Sequence, residues 1–321
     1  MQIQNEFEYQ TYDSSEHIDI QVKFVRKIES KFQIFLSEYK TSLKVVYGSD
    51  VLVICGKLNS QVTGITNEKY EDNIFSFRLL KKDAKSWNIL IISRHEETQE
   101  IDYQSSYLIY RFMNDYGFNY EESIDWLKYS SLGYLPGIRE LSTYYFSKDE
   151  REKGIELLKF GVEKFRDPKC MYNLGLIYLN DSELRLRGFQ LLKLASELKY
   201  GPSYRIIGQL YSPLSDKEFS NKNGFQALKY LDLAVNYQPN DAVSLYEMAK
   251  LIYKGIGTKK SIKHASMLEK RAIELDNTIK PLNVYFKENK DSINWGKHVT
   301  IISITLISFS LIYYFRKRKI N

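Results

Sequence analysis

Two periodicities divide this chain. Up to about residue 95 apolar and polar positions alternate; beyond about residue 105 they recur at helical spacing. His17–Phe24 (HIDIQVKF), Phe32–Leu36 (FQIFL) and Ile74–Leu79 (IFSFRL) alternate residue by residue. Leu43–Tyr47 and Val51–Ile54 are β-branched runs flanking Gly48-Ser49-Asp50, which reads as a turn. Trp87–Ile92 reads as a further strand or a helix start, and Arg26–Lys31 as a polar connection. Asn59–Asn73 is a long polar stretch. Five or six short strands predict an antiparallel β-sandwich over residues 1–95. Ile18, Ile20, Val22 and Phe24 should share its inward face, since side chains alternate across a strand.

The helical part repeats. Gly154 and Gly161, Gly188 and Ala195, Ala227 and Ala234, Ala265 and Ala272 are four pairs of small residues, each pair seven apart. Three residues after the first of each pair stands Leu157, Leu191, Tyr230 or Leu268, and Ser123, Trp126 and Ser130 give the pattern once earlier. Seven residues is about two helical turns, so both small residues face one way and admit a neighbouring helix. Between these helices a second string recurs: Gly137, Leu141, Ser142, Tyr145; then Cys170, Leu174, Gly175, Tyr178; then Ser203, Ile207, Gly208, Tyr211; then Ser244, Met248, Ala249, Ile252. A period in the thirties predicts a solenoid of α/α pairs over 105–277, with Gly161, Gly175 and Gly188 where helices cross.

At these residues the chain resembles the Sel-one-like repeat family, a relative of the tetratricopeptide repeat. The copy nearest that family's pattern runs from Met248-Ala249 through Gly255-Ile256-Gly257 to Ala265 and Ala272. The resemblance implies a scaffold that binds proteins. In the sandwich, Tyr9-Gln10-Thr11, the IDIQVKF strand, and Phe75–Lys82 leading to Trp87 resemble the CS domain of small co-chaperones. That resemblance implies a heat-shock chaperone or its clients as partners. Some tetratricopeptide co-chaperones grip an acidic C-terminal tail with a Lys/Asn/Arg clamp. Lys169, Asn173 and Arg205 are the candidate partner-binding side chains here, although the clamp's full pattern and spacing are absent.

Val299–Phe315 carries no charge over 17 residues, has Trp295 before it and ends in Tyr313-Tyr314-Phe315. As a helix it would span about 25 Å, near the ~30 Å of a hydrocarbon core. The reading is a linker at 278–297, a transmembrane helix at 298–316 and a basic tail at 317–321. The N-terminus has no apolar targeting stretch, so the expectation is a tail-anchored protein with residues 1 to about 295 in the cytosol. Arg316, Lys317, Arg318 and Lys319 would act as the targeting signal. The short, hydroxyl-containing segment favours the mitochondrial outer membrane, with peroxisome and endoplasmic reticulum as alternatives.

Charge removes one class of partner. Four of the six net positive charges lie at Arg316–Lys319, leaving +2 for the rest, too little for a nucleic-acid surface. Cys55 and Cys170 have no motif spacing and read as reduced core residues. His17, His95, His264 and His298 show no metal-ligand spacing, and no nucleophile stands at fixed spacing from a base. Gly255–Lys260 reads as an inter-helix turn rather than a phosphate cradle. No enzyme activity, cofactor or small-molecule substrate is expected. Two functions fit: a membrane-anchored adaptor or co-chaperone, and an assembly or recruitment factor whose β domain only caps the first helix.

Overall fold

The computed structural model describes residues 7–25, 30–49, 51–215 and 221–289. Two compact units emerge, residues 1–157 and 158–321. The division falls inside one helix, not at the change from strands to helices.

Among the described residues of the first unit, eight strands form two four-stranded antiparallel sheets, in the orders β1-β2-β7-β6 and β3-β4-β5-β8. They are β1 (Phe7–Asp13), β2 (His17–Phe24), β3 (Phe32–Leu36), β4 (Ser42–Tyr47), β5 (Val51–Leu58), β6 (Val62–Glu71), β7 (Ile74–Lys81) and β8 (Ile91–Ser93). Ile18, Ile20, Val22 and Phe24 of one sheet share a buried core with Phe32, Leu43, Val45 and Ile54 of the other. The alternation of β2 put them there: Asp19 and Gln21, between them, are only half-buried. Phe32 stacks on Phe75 at 4.6 Å, joining the two sheets.

Two sequence expectations change. Asn59–Asn73 contains β6, a ten-residue strand. It pairs only with β7, through two register shifts, and Val62 is its one buried residue. An exposed, bulged, charged edge strand lacks apolar alternation, which is why it read as a connection. The last strand is shorter than Trp87–Ile92 suggested: Trp87 and Leu90 are buried in irregular chain before β8.

Helices follow: α1 (Tyr103–Asp115), α2 (Tyr120–Ser130), α3 (Leu135–Ser147), α4 (Arg151–Phe165), α5 (Pro168–Leu179), α6 (Arg185–Glu197), α7 (Gly201–Tyr211), α8 (Gly224–Tyr237), α9 (Ala242–Lys254), α10 (Ile262–Leu275) and α11 (Leu282–Glu288). The even helices α2 to α10 carry the seven-spaced small residues, and all ten of those residues are buried. They pack in pairs with the preceding odd helix, as α1/α2, α5/α6, α7/α8 and α9/α10. Sequence reading missed α1, and α11 lies in the stretch expected to be linker. Leu282 and Phe286 of α11 are buried against Ala249, Ile252 and Ala265, covering the last helix pair.

Two of the predicted glycines, Gly175 and Gly188, meet where α5 crosses α6. A Cβ on Gly188 would lie 2.7 Å from the carbonyl oxygen of Gly175, and one on Gly175 would lie 3.0 Å from that of Gly188. The Ser142 hydroxyl donates to the Gly154 carbonyl at 3.0 Å, the same meeting of small positions in α3 and α4. Gly255 and Gly257 both take φ of +74°, ending α9 and turning the chain toward α10. Val299–Phe315 and Arg316–Lys319 lie outside the described residues. Among the described residues no helix is long and apolar enough to cross a membrane.

Candidate protein-interaction surface

The odd helices begin in an alternating way. Asp102, Asp167 and Asp241 cap α1, α5 and α9, while Tyr134 and Tyr200 precede α3 and α7. Each aspartate stands three residues before the small residue that opens the repeat string, and accepts its backbone N–H: Ser105 at 2.8 Å, Cys170 at 2.8 Å and Ser244 at 3.3 Å. Asp102 and Asp241 also accept the hydroxyls of Ser105 (2.5 Å) and Ser244 (2.7 Å).

In the first unit this cap joins sheet to helix. Asp102 Oδ2 accepts the backbone N–H of Cys55 on β5 at 2.8 Å. Ser105 and the Tyr9 hydroxyl are hydrogen-bonded at 2.8 Å. The Gln104 amide accepts the Tyr9 N–H at 3.1 Å and donates to the Tyr9 carbonyl at 2.8 Å, covering that part of the β1 edge. Burial pushes the Asp102 carboxyl up to about 6, against the opposing pull of its hydrogen-bond donors. Burial likewise pushes the Cys55 thiol up to about 12, which keeps it a thiol rather than a nucleophilic thiolate.

Beyond the caps, tyrosines and charges line the odd helices. In the first unit Glu140 of α3 accepts the Tyr107 and Tyr110 hydroxyls of α1 at 3.0 and 3.1 Å. In the second unit Arg205 of α7 donates to Asp241 of α9 at 3.3 Å. Lys250 of α9 pairs with Glu247 at 2.8 Å and stands 4.7 Å from the Tyr285 ring centre. Tyr246 donates to the Lys280 carbonyl at 2.7 Å.

The three clamp candidates fare differently. Lys169 is exposed at the start of α5 and Asn173 is half-buried one turn on. Arg205 is committed to the α9 cap, with its side chain 18% exposed. Among the described residues no hydrogen bond or ion pair brings the three together. Sequence reading missed Glu140, Asp241, Glu247 and Lys250. The aspartate three residues before a small repeat position was the available signal for Asp241.

Two clefts lie in the first unit. One, of about 400 Å³, is lined by Lys57, Ser93, Arg94, Glu96, Gln99 and Trp126. The other, of about 320 Å³, lies on the outer face of the β2–β7 sheet, where Arg78 grips Asp19 through two bonds of 2.6 and 2.9 Å. His95 is buried and its Nδ1 accepts the backbone N–H of Glu97 at 3.3 Å, so it serves a turn. Among the described residues no group of His, Cys, Asp or Glu is placed to hold a metal ion.

No protein-family model matches the chain, and no curated protein matches it. Its neighbours among solved structures are repeat proteins. One is c5321, a protective antigen of uropathogenic Escherichia coli strains displaying an SLR fold. It shares 18% identity over 68% of this chain and 49% of its own, with a TM-score of 0.48. Another is a Sel1 repeat protein from Oxalobacter formigenes, with 16% identity over 61% of this chain and 80% of its own, TM-score 0.49. MamA gives 18% identity over 53% of this chain and 95% of its own, TM-score 0.38. The chain spans about half the length of c5321. The CS resemblance gains no support from these neighbours.

Proposed function

We propose that this chain is a non-enzymatic scaffold that binds protein partners along the odd-numbered helices α5, α7 and α9 of its second unit. The supporting observation is the line of partly buried tyrosines and ion pairs on those helices, next to exposed residues at equivalent positions. Lys169 on α5 and Val243 on α9 each stand one residue before the buried small residue, and both are exposed. Stacked helix pairs offer such faces to extended partners. The test is quantitative co-purification with the full chain and with Lys169→Glu plus Val243→Asp. Partners should be lost while thermal stability is unchanged. Recovery of the same partners by both proteins would overturn the reading.

Of the two roles for the β domain, the sheet-to-α1 contacts favour the assembly-factor reading. Cys55 and Tyr9 hold the start of α1 through hydrogen bonds to Asp102, Gln104 and Ser105. This is what a domain capping the first helix needs, and no chaperone is required to explain it. The co-chaperone reading rests on the resemblance carried by Tyr9-Gln10-Thr11, the IDIQVKF strand and Phe75–Lys82 leading to Trp87. Lys81 Nζ is wholly buried, pairs with Asp13 at 2.6 Å and lies 5.4 Å from the Trp87 ring centre. A buried lysine is committed to the fold rather than to a partner. The scaffold's place is the cytosolic face of a membrane, the mitochondrial outer membrane before peroxisome or endoplasmic reticulum, held by Val299–Phe315 with Arg316–Lys319 as its address. That part rests on the uncharged run and basic tip of the sequence.

A further inference from the structure

In the second unit, three successive even helices present large apolar side chains to solvent from their first turns. Leu186 of α6, Phe225 of α8 and Ile262 of α10 are 67%, 64% and 47% exposed. The three helix starts lie at one end of the stack. Phe189 of α6 meets Tyr211, the last residue of α7, edge to face at 5.9 Å. The Asn223 N–H donates to the Tyr211 carbonyl at 2.7 Å, which fixes the start of α8 beside them. A Cβ on Gly224 would lie 2.9 Å from the Gly257 nitrogen, so α8 begins against the turn that leads into α10. The far end of the stack is marked by Gly201, where a Cβ would lie 3.3 Å from Tyr237 at the end of α8.

Charge separates this end from an ordinary apolar patch. Arg185 and Arg187 flank Leu186, and Lys259, Lys260 and Lys263 bracket Ile262. Asp181 and Glu183 are the acids near the α6 start, and the balance stays positive. The helix starts add the positive ends of three helix dipoles.

We propose that this end of the helix stack is a membrane-contact surface for anionic lipid headgroups, with Leu186, Phe225 and Ile262 entering the interface. Single protruding apolar side chains, two of them flanked by arginines or lysines, suit a bilayer boundary, where depth is available at every point. The arginines beside Leu186 and the lysines beside Ile262 complement anionic headgroups. The inference goes beyond the tail-anchor reading and does not require it.

The test uses the full chain with an environment-sensitive dye on Phe225→Cys. Cys55 and Cys170 are buried, so labelling of the folded protein is confined to the new thiol. Vesicles are phosphatidylcholine with or without phosphatidylserine. Emission should shift to the blue only with phosphatidylserine, and less at high salt. A dye on Glu197→Cys, at the opposite end of α6, should not shift. Lys259→Glu, Lys260→Glu and Lys263→Glu together should abolish the shift at 225. Flotation with phosphatidylcholine vesicles reports the tail separately. Flotation without a shift at 225 overturns the surface and spares the tail; a phosphatidylserine-dependent shift without phosphatidylcholine flotation does the reverse. Equal shifts on both vesicles, no binding to either, or a shift with polyglutamate that vesicles fail to give would each overturn the proposal.

Discussion

Asp102 shows how one buried side chain ties acidity to stability. Its carboxyl is buried among hydrogen-bond donors, and burial dominates, so its pKa in the fold is about 6 against an ordinary 3.8. The folded chain therefore binds this proton more tightly than the unfolded one. The stability it confers is full below about pH 4 and is lost as pH rises through about 6, on the order of 3 kcal/mol. Asp19 works the other way. The Arg78 bonds hold its carboxyl below the usual range, so its contribution is present above the ordinary carboxylate pKa and is lost as pH falls. Urea unfolding from pH 4 to 7 should show a flatter loss of stability with rising pH for Asp102→Asn than for the parent, whatever the variant's absolute stability. Identical slopes would remove the linkage. Lys81 is a buried charge that the fold satisfies with polar partners. Its Nζ donates to the Ser14 carbonyl at 2.6 Å, as well as pairing with Asp13. Lys81→Met should cost about 2–4 kcal/mol, because Asp13 loses its cation and the Ser14 carbonyl loses that donor. An unchanged melting temperature would contradict this.

At the scale of elements, the helix pairs depend on close approach. Gly188→Ala would place its methyl against the Gly175 backbone, which has no rotamer to relieve the clash, so about 1–3 kcal/mol should be lost. Calorimetry that found Gly188→Ala as stable as the parent would displace the α5/α6 crossing. The last pair is closed by α11, where Phe286 is buried and stacks on Tyr253 at 5.3 Å. Phe286→Ala should cost about 3 kcal/mol, read as a lower urea midpoint. The small-residue spacing made the even helices legible, since each needs little more than its own seven-residue interval. It left α1 unseen, because Tyr110 stands where Ser142, Gly175, Gly208 and Ala249 stand in the other odd helices. The aspartate cap was still readable there: Asp102, Ser105 and Ile109 keep the offsets of Asp167, Cys170 and Leu174.

For the whole molecule, the tail reading makes a sharp prediction. Aspartate at Ile307, near the middle of Val299–Phe315, should cost roughly 2.5–3.5 kcal/mol of insertion and shift the chain into the carbonate-soluble fraction. Protease added to intact organelles should digest the sheets and helix pairs while leaving a small tail fragment. Protection of the large part, or carbonate extraction of the unaltered chain, would end the tail-anchor reading. Serine at all four of Arg316–Lys319 should move the protein from mitochondria toward the endoplasmic reticulum, as microscopy would report.

Local pattern alone determined the strands β2, β3, β4 and β7, the inward face of β2, the even helices and the Gly255–Gly257 turn. Each follows from side-chain periodicity or backbone freedom within a few residues, and these act before any long-range contact forms. Tertiary structure decided what those residues meet. β6 is a strand because β7 offers it a ladder, not because its own side chains demand one. Arg205 is drawn to Asp241, 36 residues away, and Cys55 to Asp102, 47 residues away. Such pairings are set by how helices and sheets pack, because a charge or an N–H can be satisfied by many partners along the chain. The resemblance singled out Lys169, Asn173 and Arg205; only the packing separates the exposed lysine from the arginine already engaged with its neighbour helix.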